Sequence, residues 1–254
     1  MNFFSPKTAA VRYAKGRPFF HQLVIQRAKD FLPDDKLLQF ALDVGCGTGL
    51  SSVALKEIAE NIIGTDISRE MIVLAPKDKN ITYFVSDAEN LPFNEGEFNL
   101  ITISQAVHWL NRKKFFSEAR RVLKEKGWLI IYDNYFSGQI LENPRFQIWY
   151  QESYLRKYPI PPRNWASFDG EDTEKGGFNL LKYERIENTI GFSLEELTNF
   201  LLTLTNVIAA VEGGNEEITD VKFWLAENLK SFFKNTAEAN ILFNAPIWFL
   251  QRAG

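Results

Sequence analysis

The sequence predicts an α/β fold organised around a doubly wound, mostly parallel sheet. Three features lead there. An apolar run at 37–44 stops at alternating glycines in Asp43-Val44-Gly45-Cys46-Gly47-Thr48-Gly49, and Leu50, Val53, Ala54 and Ile58 then recur at helical spacing. That is a strand, a tight turn and a helix in succession. A second short run, 61–66, ends on Asp66, which stands 66 − 45 = 21 positions after Gly45. An acidic residue at that distance from a glycine turn marks the tip of the second strand in nucleotide-binding sheets. Strand-like and helix-like segments then alternate unbroken to Tyr132, the pattern of a parallel sheet.

At 254 residues the chain has room for one α/β domain with additions, or for a domain plus a cap. Its 45% apolar and 24% charged residues are ordinary for a globular protein, and a formal charge of −3 offers no basic footprint for nucleic acid. The single Cys46 excludes an intrachain disulfide, and no Cys/His cluster suggests a metal. The opening Met1-Asn2-Phe3-Phe4-Ser5-Pro6 lacks a charged lead and a long apolar core, so a cytoplasmic setting is expected. The most apolar long window, 197–211, carries Thr198, Asn199, Thr203, Thr205 and Asn206. It is expected to be a buried helix, with no membrane as partner.

Each element has its own reason. Pro18 suits the first turn of a helix running to Leu32, before Pro33, with Tyr13, Lys15 and Arg17 just upstream and His21 inside as a structural histidine. The glycines after strand 37–44 let backbone come close to a ligand where a Cβ would collide, and the N-terminus of the next helix faces the same crevice. The two oxygens of Asp66 match two vicinal hydroxyls of a ribose. Ser68 caps a helix carrying Met71, Ile72 and Leu74. Ile81–Val85 alternates as a third strand and runs into Ser86-Asp87-Ala88-Glu89-Asn90-Leu91-Pro92-Phe93; Phe98–Ser104 is the fourth. In a doubly wound sheet the first and fourth strands flank the point where strand order reverses, so Ser104-Gln105-Ala106-Val107-His108-Trp109 looks at the reacting end of a ligand. Asn111 caps a helix over 112–124, Gly127 ends the turn, and 128–132 is a buried fifth strand.

Beyond this the alternation stops. Residues 136–182 hold Phe146, Trp149, Tyr150, Tyr154, Tyr158, Trp165 and Phe168 around the loop-like Tyr158-Pro159-Ile160-Pro161-Pro162, and read as a capping insertion with a small aromatic core. Residues 183–190 alternate as a sixth strand. Phe192-Ser193-Leu194-Glu195-Glu196-Leu197 is a capping box with a hydrophobic staple, opening a helix that stops at Gly213-Gly214. A further helix is expected over 220–233 and a last strand over 240–251, where Pro246 suits an edge or a bulge.

These stretches carry a resemblance. The segment 42–49 resembles motif I of the class I S-adenosylmethionine (SAM)-dependent methyltransferases, with Asp43 at the place of the acidic residue before the first glycine. Gly64-Thr65-Asp66-Ile67-Ser68 with Met71 is similar to the segment that follows it in that family. The resemblance implies that Asp66 holds the ribose and that Ile67 and Met71 flank the adenine, although Met71 equally suits plain packing. Residues 87–93 look like the family's Asp-Ala-Glu-x-Leu-Pro-Phe segment, which implies that Asp87 accepts from the adenine amino group and the Ala88 N–H donates to a ring nitrogen. A helix cap serves Asp87 as well. Gln105-Ala106-Val107-His108-Trp109 resembles the Gln-Ala-x-His-Trp segment of the trans-aconitate methyltransferase-related group, not the Asn/Asp-Pro-Pro-Tyr/Phe motif that binds planar nitrogens. Tyr13-x-x-x-Arg17-Pro18-Phe19 is similar to that group's opening segment, with Phe20 in place of a second tyrosine.

The family implies a Rossmann-like sheet of seven strands with an antiparallel last one. Residues 1–135 would form an N-terminal helical segment and the SAM-binding half, 136–182 the cap, and 183–254 the rest of the sheet with a helical insertion at about 193–234. The expected cofactor contacts are Arg17, Asp43, Gly45, Cys46, Gly47, Asp66, Ile67, Met71, Asp87, Ala88 and Ser104. The expected activity is methyl transfer from S-adenosyl-L-methionine to a small-molecule acceptor, at an oxygen of a carboxylate or hydroxyl. His108 and Gln105 would position the acceptor, helped by Arg17 or Arg163, and His108 is the one candidate base. A carbon methyltransferase of quinone or sterol type and a non-catalytic SAM-binding protein are the alternatives. A nicotinamide enzyme fits least, because Leu50 stands where its fingerprint needs a third glycine.

Overall fold

The computed structural model describes residues 6–32, 36–161 and 170–254. Met1, Asn2, Phe3, Phe4, Ser5, Pro33, Pro162, Arg163, Trp165 and Phe168, all used above, lie outside the described residues. In chain order the elements are α1 (Lys7–Gly16), α2 (His21–Lys29), β1 (Leu38–Val44), α3 (Leu50–Ala54), β2 (Ala59–Asp66), α4 (Arg69–Ile72), β3 (Ile81–Val85), β4 (Phe98–Ser104), α5 (Arg112–Val122) and β5 (Leu123–Tyr132). They continue with β6 (Tyr135–Ile140), α6 (Arg145–Trp149), α7 (Leu155–Lys157), α8 (Gly170–Lys175), β7 (Phe178–Ser193), α9 (Leu194–Leu201), α10 (Thr205–Glu212), α11 (Ile218–Leu229) and β8 (Glu238–Arg252).

The chain divides into two compact units. One, the sheet unit, comprises Phe19–Asp133, Arg163–Ile186 and Pro246–Gly254; the other comprises Met1–Pro18, Asn134–Pro162 and Glu187–Ala245. In the sheet unit the order is β3-β2-β1-β4-β5, and all four neighbouring pairs are parallel. The later part of β8 lies antiparallel on β5, from Tyr132↔Ile247 to Trp128↔Gln251. Strand order reverses between β1 and β4, paired from Ala41↔Leu100 to Val44↔Ile103, so a ligand crevice belongs at their carboxyl ends. Leu42, Val44, Phe98, Ile101, Ile103, Phe115, Phe116 and Leu129 fill the core between sheet and helices. Each such side chain contributes about 1.5–3 kcal/mol by leaving water.

The second unit pairs β6 antiparallel with the earlier part of β8, from Tyr135↔Asn244 to Ile140↔Ile241. Its core holds Phe146, Tyr154, Tyr158, Phe192, Phe200 and Phe243. The α1 helix is moored to α10: Thr8 Oγ1 donates to Glu212 at 3.0 Å and Arg12 Nη2 at 2.7 Å. Ser193 closes its capping box, its hydroxyl accepting from Glu196 N while its own N–H donates to the Glu196 carboxylate at 2.8 Å. Among the described residues no single helix is long and apolar enough to cross a membrane.

Five local expectations change. Pro18 does not open a helix. Arg17 is extended, at φ −84° and ψ 127°, as a residue before proline prefers, so the chain breaks between α1 and α2. Lys124 and Gly127 belong to β5, because α5 ends at Val122; a Cβ on Gly127 would meet Lys124 O at 2.8 Å. The stretch 136–182 is not free of strands: β6 begins at Tyr135 and β7 at Phe178, bringing the described strands to eight where seven were expected. The helix expected over 193–213 is two, α9 and α10, bent by 65°. There Thr203 gives both its N–H (2.9 Å) and its hydroxyl (2.6 Å) to Phe200 O, which tightens and ends the turn. Pro246 is neither at an edge nor in a bulge: it falls where β8 passes from the partner Tyr135 to the partner Tyr132, and its carbonyl accepts from Asp133 N at 3.1 Å.

Candidate active site

Among the described residues, every sequence-predicted site residue except Arg17 lies in the sheet unit, at or just past the carboxyl ends of β1, β2, β3 and β4. Gly45, Gly47 and Gly49 have φ of +66°, +55° and +81°. At Gly45 a side chain is excluded twice over, because a Cβ would also stand 2.7 Å from the Ala106 Cβ. The glycine loop after β1 thus touches the segment after β4. The α3 helix that follows is a single short stretch of five residues.

Asp43 is wholly buried and turned beneath the loop. One carboxylate oxygen accepts from Ser51 Oγ and Ser52 Oγ, both at 2.6 Å, and the other from Thr102 Oγ1 at 3.1 Å. The group therefore ties β1, α3 and β4 together, and burial raises its pKa to about 6. Asp66 works from the side: its oxygens accept from Gly47 N at 2.9 Å and Ser68 N at 2.8 Å. A carboxylate has about four acceptor positions, so capacity remains for a ligand's hydroxyls. Desolvation pushes this carboxyl up too. Cys46 is buried, donates its N–H to Thr65 O at 3.0 Å, and has its thiol held well above the ordinary value by burial.

Ile67 is 62% exposed at the tip of β2, whereas Met71 is buried; of the two proposed neighbours of adenine, Ile67 presents the open apolar surface. Asp87 is exposed, with its carboxylate accepting from Glu89 N at 2.8 Å, and Ala88 packs against the core. Their loop is held by two α5 residues, so the charged face of 112–124, which the sequence leads one to expect simply solvated, is partly engaged. Arg121 donates to Phe93 O (2.7 Å) and Leu91 O (2.8 Å), while Glu118 accepts from Leu91 N (2.8 Å). Ser51, Ser52 and Thr102 also belong to the site's support, through Asp43; adjacent serines in the first turn of an otherwise apolar helix are the signal in the sequence.

Ser104, the last residue of β4, is buried, and Gln105 after it takes the left-handed conformation, φ +54°, with its N–H donating to Tyr132 O at 3.0 Å. His108 is half-buried, its ring 4.9 Å from that of Trp109. Arg17, in the second unit, places its guanidinium 4.7 Å from the Tyr13 ring centre and 5.5 Å from that of Phe200, with Nη2 donating to Thr203 O at 3.4 Å. His21 is structural, as expected: burial pushes its pKa down to about 3, and Nδ1 lies 2.9 Å from the Tyr132 hydroxyl.

The methyltransferase-domain family profile matches residues 42–131, the stretch that builds this geometry. An inferred methyltransferase of Dictyostelium discoideum is 28% identical over 206 residues, spanning 80% of this chain and 76% of its own. A solved structure, an inferred type II methyltransferase from Anaeromyxobacter dehalogenans, aligns with a TM-score of 0.70 at 21% identity over 93% of this chain and 97% of its own. Phosphoethanolamine N-methyltransferase 2 of Haemonchus contortus, in complex with phosphomonomethylethanolamine and S-adenosylhomocysteine, aligns with a TM-score of 0.57 at 20% identity, over 100% of this chain and 60% of its own. The chain is an S-adenosylmethionine-dependent methyltransferase.

The residues of the methyltransferase fit that cofactor on their own chemistry. The side-chain-free turn at Gly45, the tethered carboxylate of Asp66 and the exposed Ile67 supply backbone, acceptor and apolar surface at neighbouring strand tips. Among the described residues no cluster of His, Cys, Asp and Glu could hold a metal ion.

Proposed function

We propose that the methyltransferase acts on a small molecule, at an oxygen of a carboxylate or a hydroxyl. The observation that supports this most is the segment after β4, where Gln105 and His108 follow one another past the crevice and 104–111 contains no acidic residue. An amide and an imidazole orient an anionic oxygen well, whereas a cationic amine would call for carboxylates. The likeness of 105–109 to the trans-aconitate methyltransferase-related group points the same way. In this reading Asp66 holds the ribose, Ile67 and Met71 border the adenine, and Asp87 and Ala88 read its edge. Gly45, Cys46, Gly47 and Ser104 complete the cofactor's surroundings, and Asp43 supports the loop from beneath.

Bound SAM brings a methyl group already activated by its sulfonium, so little covalent chemistry is left to the protein. What the chain contributes is orientation and exclusion of water. A carboxylate needs no base. A hydroxyl would lose its proton to His108.

A pH–rate profile of wild type and His108→Gln, on an acceptor identified by its mass gain with SAM, tests the assignment. Positioning by a cation predicts a partial loss in the variant and a wild-type rate that falls as pH rises through the histidine titration. Base catalysis predicts a roughly 10²–10⁴-fold loss and a rate that rises. An unchanged rate with a flat profile removes His108 from the site.

A further inference from the structure

Gln105 and Lys126 are the two described non-glycine residues in the left-handed region, at φ +54° and +58°. Such a residue costs on the order of 1–3 kcal/mol and persists only where its surroundings over-determine it. At Gln105 the determinant is Tyr132. The Tyr132 carbonyl accepts the Gln105 N–H at 3.0 Å, and its backbone is itself clamped, paired with Ser104 of β4 on one side and Ile247 of β8 on the other. Its ring is fixed separately. The phenol is 2% exposed, meets His21 Nδ1 at 2.9 Å, and lies edge-on to Phe20 (6.1 Å, 72°) and His21 (5.8 Å, 79°). Both polar groups stay neutral, because desolvation drives the imidazole pKa down to about 3 and the phenol well up, with the Asp43 carboxylate adding to the latter. A neutral histidine and a neutral tyrosine, buried for one shared hydrogen bond, take no part in the chemistry proposed above. They do stand directly behind the strained turn that carries it.

We propose that His21 and Tyr132 are positioning residues of the methyltransferase: their hydrogen bond locks the Tyr132 ring and carbonyl, and through that carbonyl the left-handed turn at Gln105 from which His108 is presented. The catalytic consequence rests on the reading that Gln105 and His108 face the acceptor; the mechanical coupling does not.

The chain has only two histidines, which makes the test direct. Tyr132→Phe removes one hydroxyl and keeps the ring. His21→Asn places an amide near Nδ1 and preserves a hydrogen bond, whereas His21→Leu does not. Hydrogen exchange at the Gln105 amide and the His108 ring resonance are followed by NMR, and SAM affinity by calorimetry. The expected result is at least tenfold faster exchange at Gln105 and a displaced His108 signal in Tyr132→Phe and His21→Leu. Both should return to wild-type behaviour in His21→Asn. SAM affinity should stay within about twofold, and exchange at Leu129 and Ile131 should be unchanged. Gln105 exchange and a His108 signal that ignore all three substitutions would overturn the proposal. Faster exchange spread evenly along β4 and β5 would do the same, since that marks general loosening. Because no acceptor is required, a wrong assignment of the acceptor leaves this outcome intact.

Discussion

Two carboxylates share the support of one loop, and their environments separate their roles. Asp43 spends both oxygens on the hydroxyls of Ser51, Ser52 and Thr102, inside the protein. Asp66 spends its oxygens on two backbone N–H groups at the surface of the crevice and keeps acceptor positions in hand. Asp66→Ala should therefore weaken SAM by about 1.5–3 kcal/mol, the range for hydrogen bonds to a charged group. A folded variant that binds SAM in the calorimeter as tightly as wild type would take Asp66 out of the site. The sequence showed this residue through its distance from Gly45. It showed less of Asp43, whose direction is set by two hydroxyls eight and nine positions on and by a third on β4, 59 positions away.

At the scale of elements, α5 acts as a bracket for the loop that bears Asp87 and Ala88. Arg121 holds two of its carbonyls and Glu118 one of its N–H groups. Arg121→Ala touches no ligand, yet should raise the SAM dissociation constant about fivefold, roughly the net worth of one hydrogen bond. Unchanged affinity would mean that the loop keeps its shape without the bracket. Strands were the most legible elements: β3 and β4 have the bounds read from the sequence, because each is a short apolar run closed off by polar and turn residues. Helix ends were less so. Pro18 fits both a first helical turn and a break, and the choice fell to the moorings of α1 at Glu212, almost two hundred positions on. The break between α9 and α10 has no glycine or proline to announce it; a threonine makes it by folding onto Phe200 O.

For the whole molecule, the buried His21 sets a dependence on acid. Its folded pKa is about 3 against an unfolded value near 6.5. The unfolded chain takes up the proton first, so stability is lost as pH falls from about 6.5 towards 3, at about 1.4 kcal/mol per unit of difference. Asp43 acts in the opposite sense: its folded pKa of about 6 lies above the unfolded value of 3.8, so the native state gains relative stability as pH falls from about 6 to about 4. Comparing wild type with His21→Asn cancels the Asp43 contribution. Denaturant unfolding at pH 7 and pH 4 should show wild type losing more stability on acidification than the variant. Parallel losses would show that His21 is not held neutral.

The mooring of α1 also bears on the order in which the molecule assembles. Thr8 finds its partner 204 positions later. At a synthesis rate of 5–20 residues per second, roughly 10–40 s separate the arrival of the two. A helix of ten residues is too short to persist alone in water. Residues 19–133, by contrast, are contiguous and hold the five parallel strands of the sheet unit. A nascent chain thus carries its leading segment uncommitted past a sheet that is already able to pair, and the first helix in the sequence is among the last to form.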